Sequence, residues 1–142
     1  STHNDTLNAY KVALSQPAIN RARVVILALA DGTLMLRDIF DTLAQTQHPY
    51  AALLVGSLLD RAQILALKTR LYILMGDNDW ISWHSYGREA SRAHAAAYPY
   101  GAQFNVVHFA DRLLMDTRTR ARALHLSAKQ LMKDWLRTIG KL

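Results

Sequence analysis

Residues 49–76 read PYAALLVGSLLDRAQILALKTRLYILMG, and this stretch decides the fold that the sequence predicts. Its apolar residues recur on nearly every side of a helical wheel, and Pro49 suits a first helical turn. As one helix over residues 49–75 it would be about 40 Å long and would need burial all round. We therefore expect a central core helix whose side chains include the nearly fully buried Leu53, Leu54, Leu58, Ile64 and Leu67.

A break near Lys68–Arg70 is the alternative for this stretch. It would leave Leu71–Met75 and Trp80–His84 as a β-hairpin around residues 76–79, where Gly, Asp and Asn favour a turn. Such a hairpin near residues 71–85 could serve as the wing of a winged helix. The continuous helix is the favoured interpretation.

The remaining periodicity also favours helices. Residues 24–26 suit a buried strand as well, because periodicity alone does not separate a short apolar strand from a buried helix. The predicted fold class is all-α: a single compact domain over residues 1–142, with five to seven helices around the 49–75 helix. The other predicted helices cover residues 5–15, 17–30, about 33–43, 88–97, 104–115 and the C-terminal segment.

Composition excludes several classes of protein. With 51% hydrophobic and 20% charged residues over 142 positions, the chain is too apolar to be disordered. It has no cysteine, which excludes a disulfide framework and a thiolate nucleophile. The longest uncharged apolar runs, residues 24–30 and 51–59, are far shorter than a membrane span, and residues 1–10 do not resemble a secretory signal. These features predict a cytoplasmic protein that does not associate with membranes.

The net charge of +6 is confined to the C-terminal segment, residues 112–142. Eight bases lie there against Asp116 and Asp134, whereas acids and bases cancel in the rest of the chain. Localised basic charge attracts polyanions, although a solvated helix face has the same composition.

The C-terminal segment fits a helix-turn-helix pattern. Ala121 is a small residue in the first helix, Leu124 and Leu126 flank the turn, and Ser127 suits the cap of the second helix. On the polar face of that second helix, lysines and an arginine recur every four residues beside a glutamine, which suits phosphate contacts and one base contact. The leading hypothesis is a DNA-binding regulatory or accessory protein that acts in transcription regulation. Its predicted nucleic-acid-binding residues are Arg118, Arg122, Lys129, Gln130, Lys133 and Arg137.

The alternative hypothesis is a helical protein–protein interaction module. Seven of the twelve aromatic residues lie within residues 80–109, and such a cluster could form a binding surface. A protein partner, or a second copy in a homodimer, would dock on this aromatic region or on the C-terminal helix.

Enzyme signatures are scarce in the sequence. It contains no Gly-rich phosphate loop, no His-Glu-x-x-His pair and no Gly-x-Ser-x-Gly motif. Asp77, Asp79 and His84 lie close enough in sequence to share a divalent ion, but such a stretch is more typical of a solvated turn. The sequence therefore predicts no catalytic residue, no metal site and no cofactor.

Arg120 and His125, with four residues between them, resemble the Arg-x4–6-His motif of the small all-helical HEPN ribonucleases. Arg88 and His94 match the same pattern. The resemblance implies a dimer in which both residues of each subunit face RNA, with Arg stabilising a phosphorane-like charge and His moving a proton. Because Ala121 follows Arg120 where that family commonly has a polar residue, this is a remote alternative.

Overall fold

The computed structural model describes residues 1–78 and 81–141, and the side chains of all of these except residues 81–83. This part of the chain forms a four-stranded parallel sheet in the order β1-β2-β3-β4. None of the helices in these ranges has the length and apolar character needed to cross a membrane. The strands are β1 (Val25–Leu29), β2 (Ala51–Val55), β3 (Arg70–Gly76) and β4 (Ala102–Val107). The helices are α1 (Thr2–Leu14), α2 (Asp31–Thr46), α3 (Arg61–Leu65), α4 (Ile81–Ala97) and α5 (Leu126–Gly140), with a 3₁₀ turn at Arg21–Arg23.

The prediction of an all-α fold is wrong, and the error lies in residues 49–75. This stretch forms β2, the short helix α3 and β3 rather than one helix. Every residue of β2, and every residue of β3 after Arg70, is buried. Strands covered on both faces carry continuous apolar runs without alternation, which resemble a buried helix in sequence. Five residues of this stretch were predicted to be nearly fully buried. The prediction is confirmed for Leu53, Leu54, Ile64 and Leu67, whereas Leu58 is only half-buried.

The predicted hairpin is also wrong, although its first strand exists. Residues 71–75 belong to β3, which pairs in parallel with β2 on one side and β4 on the other. The second predicted strand includes Trp80, which lies outside the described residues, and continues into residues that form the start of α4. A parallel neighbour needs a crossover, and α4 supplies it between β3 and β4.

Two predicted helices are strands in part. Residues 25–29 form β1, so the strand alternative for residues 24–26 is confirmed in its main point and the 17–30 helix is wrong. Residues 102–107 form β4, and the chain after it is a loop rather than the predicted 104–115 helix. The first helix, the helix near Thr33, the 88–97 helix and the C-terminal helix are confirmed within α1, α2, α4 and α5.

Helices cover both faces of the sheet. On one face, Leu54 and Ile73 pack in a core with residues of α1, α2 and α4, including Phe40. On the other face, Leu53, Tyr72 and Leu74 pack under α5 through Trp135 and Ile139. Because the four strands are parallel, their carboxyl ends meet at one edge, which is where open α/β sheets bind ligands.

Candidate functional site

A strained turn lies at the carboxyl end of β1. The strand ends at Leu29 and α2 begins at Asp31, so Ala30 alone makes the connection. Ala30 has φ 50° and ψ −119°, a region that residues other than glycine rarely adopt. A non-glycine residue stays there only when its surroundings hold it, and such residues concentrate at functional sites.

The contacts that hold Ala30 are backbone hydrogen bonds from both sides of the turn. Its N–H donates to the carbonyl of Val55 at the end of β2, at 2.8 Å. Its own carbonyl accepts from the N–H of Thr33 at 3.0 Å and from the Thr33 hydroxyl at 2.8 Å. Thr33 is 1% exposed, so this clamp is buried beneath the turn.

Two glycines let a loop lie directly over the same edge of the sheet. Gly56 follows β2 with φ 62°, and a Cβ there would lie 2.7 Å from the carbonyl oxygen of Arg112. Gly76 ends β3, and a Cβ there would overlap the carbonyl oxygens of Ala110 and Asp111. Neither position has room for a side chain, and residues 108–116 therefore pack against the strand ends.

Asp111 shapes this loop and thereby places Arg112. One carboxylate oxygen of Asp111 accepts from the N–H groups of Leu113 and Met115, both at 2.9 Å. The Arg112 Nε donates to the carbonyl of Gly56 at 3.2 Å, which anchors the guanidinium beside the end of β2. A permanently charged donor is thus held near the strained turn.

The turn and the loop enclose a small cavity of about 240 Å³. Ala30 and Arg112 both line it, so the tip of the turn and the loop residue border the same space. An arginine stays protonated and does not serve as a general base. The remaining lining residues are Asp31, Thr33, Leu34, Leu58, Leu59 and Gln63.

An acid–base pair lies farther along the same edge. Asp77 follows β3 and His108 follows β4, with 3.4 Å between the carboxylate oxygen and the His108 Nδ1. A backbone hydrogen bond from Phe109 is the main cause that lowers the pKa of Asp77, and its contact with His108 acts in the same direction. The His108 side chain is 81% exposed, and neither residue lines the cavity beside Ala30.

The six residues predicted to contact nucleic acid are all exposed. Arg118 forms an ion pair with Asp116, with 3.0 Å between guanidinium and carboxylate, and this contact lowers the pKa of Asp116 to about 2. On α5, Gln130 donates to Asp134 at 2.7 Å, so its amide is engaged within the helix. Nothing in the structure tests a nucleic-acid contact by these side chains, which are Arg118, Arg122, Lys129, Gln130, Lys133 and Arg137.

The helix-turn-helix that these residues were to form is absent from the described chain. Residues 117–124 are turns and irregular structure, not a first helix. His125 is the N-cap of α5, and its ring nitrogen accepts from the N–H of Ser127 at 3.0 Å. The predicted cap at Ser127 is therefore wrong by two residues, because His125 supplies the capping acceptor itself.

Two other predicted groupings do not form a single site. Within residues 1–78 and 81–141, no group of three His, Asp or Glu side chains is placed to hold a metal ion. Of the three residues considered, Asp79 lies outside the described residues, while Asp77 faces His108 and His84 contacts the carbonyl of Gly76. The aromatic residues separate as well: Tyr86 is 59% exposed, whereas Tyr98 packs on the buried His94.

Comparison with known proteins identifies the fold. No protein-family model and no curated protein matches the sequence. A solved structure does match: a dienelactone hydrolase-like promiscuous phosphotriesterase, P91, from metagenomic libraries. The TM-score is 0.63 at 12% sequence identity, and the match covers 94% of this chain and 58% of that one. The chain is therefore similar in fold to somewhat more than half of a hydrolase.

This likeness overturns the functional hypotheses drawn from the sequence. A four-stranded parallel sheet with a hydrolase-like fold is neither a DNA-binding helix-turn-helix protein of transcription regulation nor a helical interaction module. The HEPN ribonuclease alternative fails too, because that family is all-helical and His94 is buried in this fold. The basic composition of residues 112–142 is a property of the surface and does not determine the fold.

The strained turn is the feature that sequence analysis missed. In α/β-hydrolases the nucleophilic serine of Gly-x-Ser-x-Gly sits on a sharp, strained strand-to-helix turn. Residues 28–32 read Ala-Leu-Ala-Asp-Gly and adopt that strand–turn–helix arrangement, with Ala30 at the tip. A motif search that requires serine does not find this segment, and the one remaining signal is Gly32 two residues after Ala30.

Proposed function

We propose that this chain is a non-hydrolytic domain of hydrolase-like fold that binds a small organic ligand beside Ala30 without cleaving it. The observation that carries the proposal is Ala30 itself. The turn that would raise a nucleophile is present, with φ 50° and the clamp from Thr33, and a methyl group occupies its tip. A methyl group forms no covalent intermediate.

Two hydroxyl side chains near the turn are described by the structure, and neither is free to act as a nucleophile. The Thr33 hydroxyl donates to the carbonyl of Ala30 and is 1% exposed. Ser57 is also buried, and its oxygen accepts from the N–H of Leu59. Covalent catalysis needs a nucleophile within reach of a base, and Arg112, which lines the cavity together with Ala30, does not accept a proton.

The lining of the cavity defines the class of ligand. Leu34, Leu58 and Leu59 supply an apolar wall, and Arg112 supplies a charged donor suited to a carboxylate or phosphoryl oxygen. At about 240 Å³ the cavity lies just below the range of drug-sized sites, so the ligand is small. A small carboxylate or ester with an apolar body fits this lining.

Catalysis is tested with chromogenic substrates. We expect p-nitrophenyl acetate and diethyl p-nitrophenyl phosphate to release p-nitrophenol in the presence of the protein at the rate seen in buffer. These probes cover the ester and phosphotriester chemistry in the description of the structural neighbour. Turnover above the buffer rate that Arg112→Gln abolishes would overturn the non-hydrolytic assignment.

Binding is tested with one engineered thiol. Because the chain has no cysteine, Ala30→Cys places a single reactive thiol at the cavity. We expect benzoate or phenyl phosphate to slow its alkylation in proportion to the occupied fraction, and Arg112→Gln to remove the protection. Leu126→Cys, at a position 78% exposed on α5, is the matched control and should stay unprotected. Equal protection of both thiols, or of neither, would contradict binding beside Ala30.

A second candidate function follows from the Asp77–His108 pair. An imidazole oriented by a carboxylate can take a proton from water while the hydroxide attacks an ester, without a covalent intermediate. Since the His108 side chain is 81% exposed, such a reaction would take place outside the cavity beside Ala30. The two mechanisms are separable: ester hydrolysis lost in His108→Gln and kept in Arg112→Gln would support this one.

A cytoplasmic location belongs to the proposal. The cysteine-free fold does not depend on disulfides and is compatible with a reducing compartment. Fractionation of cells that express the tagged protein measures this directly. Recovery in a secreted or membrane fraction would contradict it.

A further inference from the structure

We propose that β1 pairs with β1 of a second copy of this chain, in antiparallel orientation, to form a continuous sheet across a homodimer. Among residues 1–78 and 81–141, β1 is an edge strand, because β2 is the one strand with which it pairs. An exposed edge presents a row of hydrogen-bonding groups that another strand can use, and proteins usually protect it with charge, proline or a bulge. Residues 24–30 read VVILALA and contain none of these.

The direction of the backbone groups along β1 shows which residues could form hydrogen bonds with a second strand. The carbonyl of Val24 accepts from Tyr50, and the N–H of Ala30 donates to Val55, so both point toward β2. Backbone groups alternate in direction along a strand. The N–H and C=O groups of the odd-numbered residues therefore point away from β2, and these residues are Val25, Leu27 and Leu29.

A two-fold axis through Leu27 uses all three of these residues. It pairs Leu27 with Leu27 of the second copy, and Val25 with Leu29 on either side. In antiparallel pairing each such pair exchanges both of its backbone hydrogen bonds, which gives about six bonds in total. The strand is therefore self-complementary about its central residue.

The side chains and charges favour the same register. Leu27 and Leu29 are 56% and 47% exposed, although they are large and apolar, and the pairing would cover them. An apolar groove of about 540 Å³ runs along β1 between α1 and α2, and Leu27 and Leu29 are among the residues that line it. Arg23 precedes the strand and Asp31 follows it, and the two-fold axis at Leu27 brings Arg23 of one copy near Asp31 of the other. The Arg23 Nη1 already donates to the carbonyl of Gly140 at 2.7 Å and its guanidinium lies over the Tyr50 ring, so its contribution is long-range charge and not a new ion pair. A parallel arrangement would bring like charges together.

This inference does not depend on the cavity beside Ala30. The dimer proposal can therefore be refuted while the ligand-binding proposal holds, and the ligand-binding proposal can be refuted while the dimer proposal holds. The measurement is the mass of the protein in solution by light scattering or sedimentation. We expect twice the 16.0 kDa of one chain.

Substitution at the axis tests the register. Leu27→Lys would place two ammonium groups opposite each other, and we expect a monomer with an unchanged fold, since Leu27 is more than half exposed. Leu126→Lys on α5 is the matched control and should remain dimeric. A monomeric wild-type protein, or a Leu27→Lys variant that stays dimeric, overturns the proposal.

A disulfide gives a second test that does not require the protein to lose its dimer. Residues in a hydrogen-bonded antiparallel pair have Cα atoms about 5.5 Å apart, within the range that a disulfide spans. Because the chain has no cysteine, each variant carries a single thiol. We expect Leu27→Cys to form a disulfide-linked dimer under mild oxidation. The control variant Leu126→Cys should form no such dimer at the same protein concentration. Absence of the Leu27→Cys cross-link refutes the two-fold axis at this residue.

Discussion

Substitution of Gly76 by alanine is the sharpest test of how the candidate site is built. Gly76 ends β3, and an added Cβ would overlap the backbone carbonyl oxygens of Ala110 and Asp111. These are main-chain atoms, so no side-chain rotation relieves the overlap. The loop that carries Arg112 must move away from the sheet, and Arg112 must leave the cavity beside Ala30.

The cost of this movement follows from the contacts it disturbs. Overpacking against fixed backbone costs about 1–3 kcal/mol. Two backbone hydrogen bonds hold the chain just after β3, from Asp77 to Val107 at the end of β4 at 2.9 Å and from Asn78 to Ala110 in the loop at 3.0 Å. Losing one or both costs about 1 kcal/mol each. We expect Gly76→Ala to destabilise the protein by about 2–5 kcal/mol and to lower Tm by roughly 10 °C.

Thermal and urea denaturation measure this change, and Gly32→Ala is the control. A Cβ at Gly32 meets no atom within 4 Å, and the residue lies in the first turn of α2. Alanine at this position should give a free energy of unfolding equal to that of the wild type or up to about 1 kcal/mol higher. If Gly76→Ala melts with the wild type, the loop does not pack on β3 as described.

Three further predictions concern the core and two titrating side chains. Leu54→Ala, at a fully buried position of β2, should lower the free energy of unfolding by about 2–5 kcal/mol in a denaturation experiment. Leu136→Ala, at an exposed position of α5, is the control. If Leu54→Ala destabilises the protein no more than Leu136→Ala does, β2 is not buried on both faces. The pKa of Asp116 is lowered to about 2, so its contribution to stability is present above its unfolded pKa of 3.8 and is lost as the pH falls toward 2. An NMR titration should find this low midpoint and its return toward 3.8 in Arg118→Gln, whereas a wild-type midpoint already near 3.8 would exclude the ion pair. Burial lowers the pKa of His94, so stability should be complete above pH 6.5 and should decline below it as protonation favours the unfolded chain. His94→Gln should flatten that decline, and an unchanged pH profile would show that another group causes it.

The presence of the surface helices was predictable, and the buried sheet was not. α2 and α5 each bury one stripe, so their apolar residues recur at helical spacing and both helices are confirmed. β2 and β3 are covered on both faces and show no period at all. Two local breaks mark the ends of these strands in the sequence: Gly56-Ser57 after β2 and Lys68-Thr69 before β3. These breaks are a weaker signal than the apolar character of the twenty-eight residues 49–76, which favoured one continuous helix.

The segment after β4 failed for a different reason. Residues 104–115 carry an apolar stripe that suits a helix, yet they divide into the end of β4 and a loop. Their local preference is overridden by Gly76, which lies far away in sequence and lets the loop approach β3. Phe109 and Leu114 adopt positive φ of 58° and 65° in that loop, which no local preference of phenylalanine or leucine predicts.

The candidate site illustrates the same dependence on tertiary contacts. Nothing in an alanine favours φ of 50°, and Ala30 adopts it because Val55 and Thr33 hold both of its backbone groups. Sequence motifs identify such turns by the serine or cysteine that they carry, so a turn that has lost its nucleophile leaves almost no trace in sequence. Backbone strain normally persists only when the surroundings over-determine it. The turn at Ala30 is therefore recognised from the backbone contacts with Val55 and Thr33 that hold it, and not from a sequence motif.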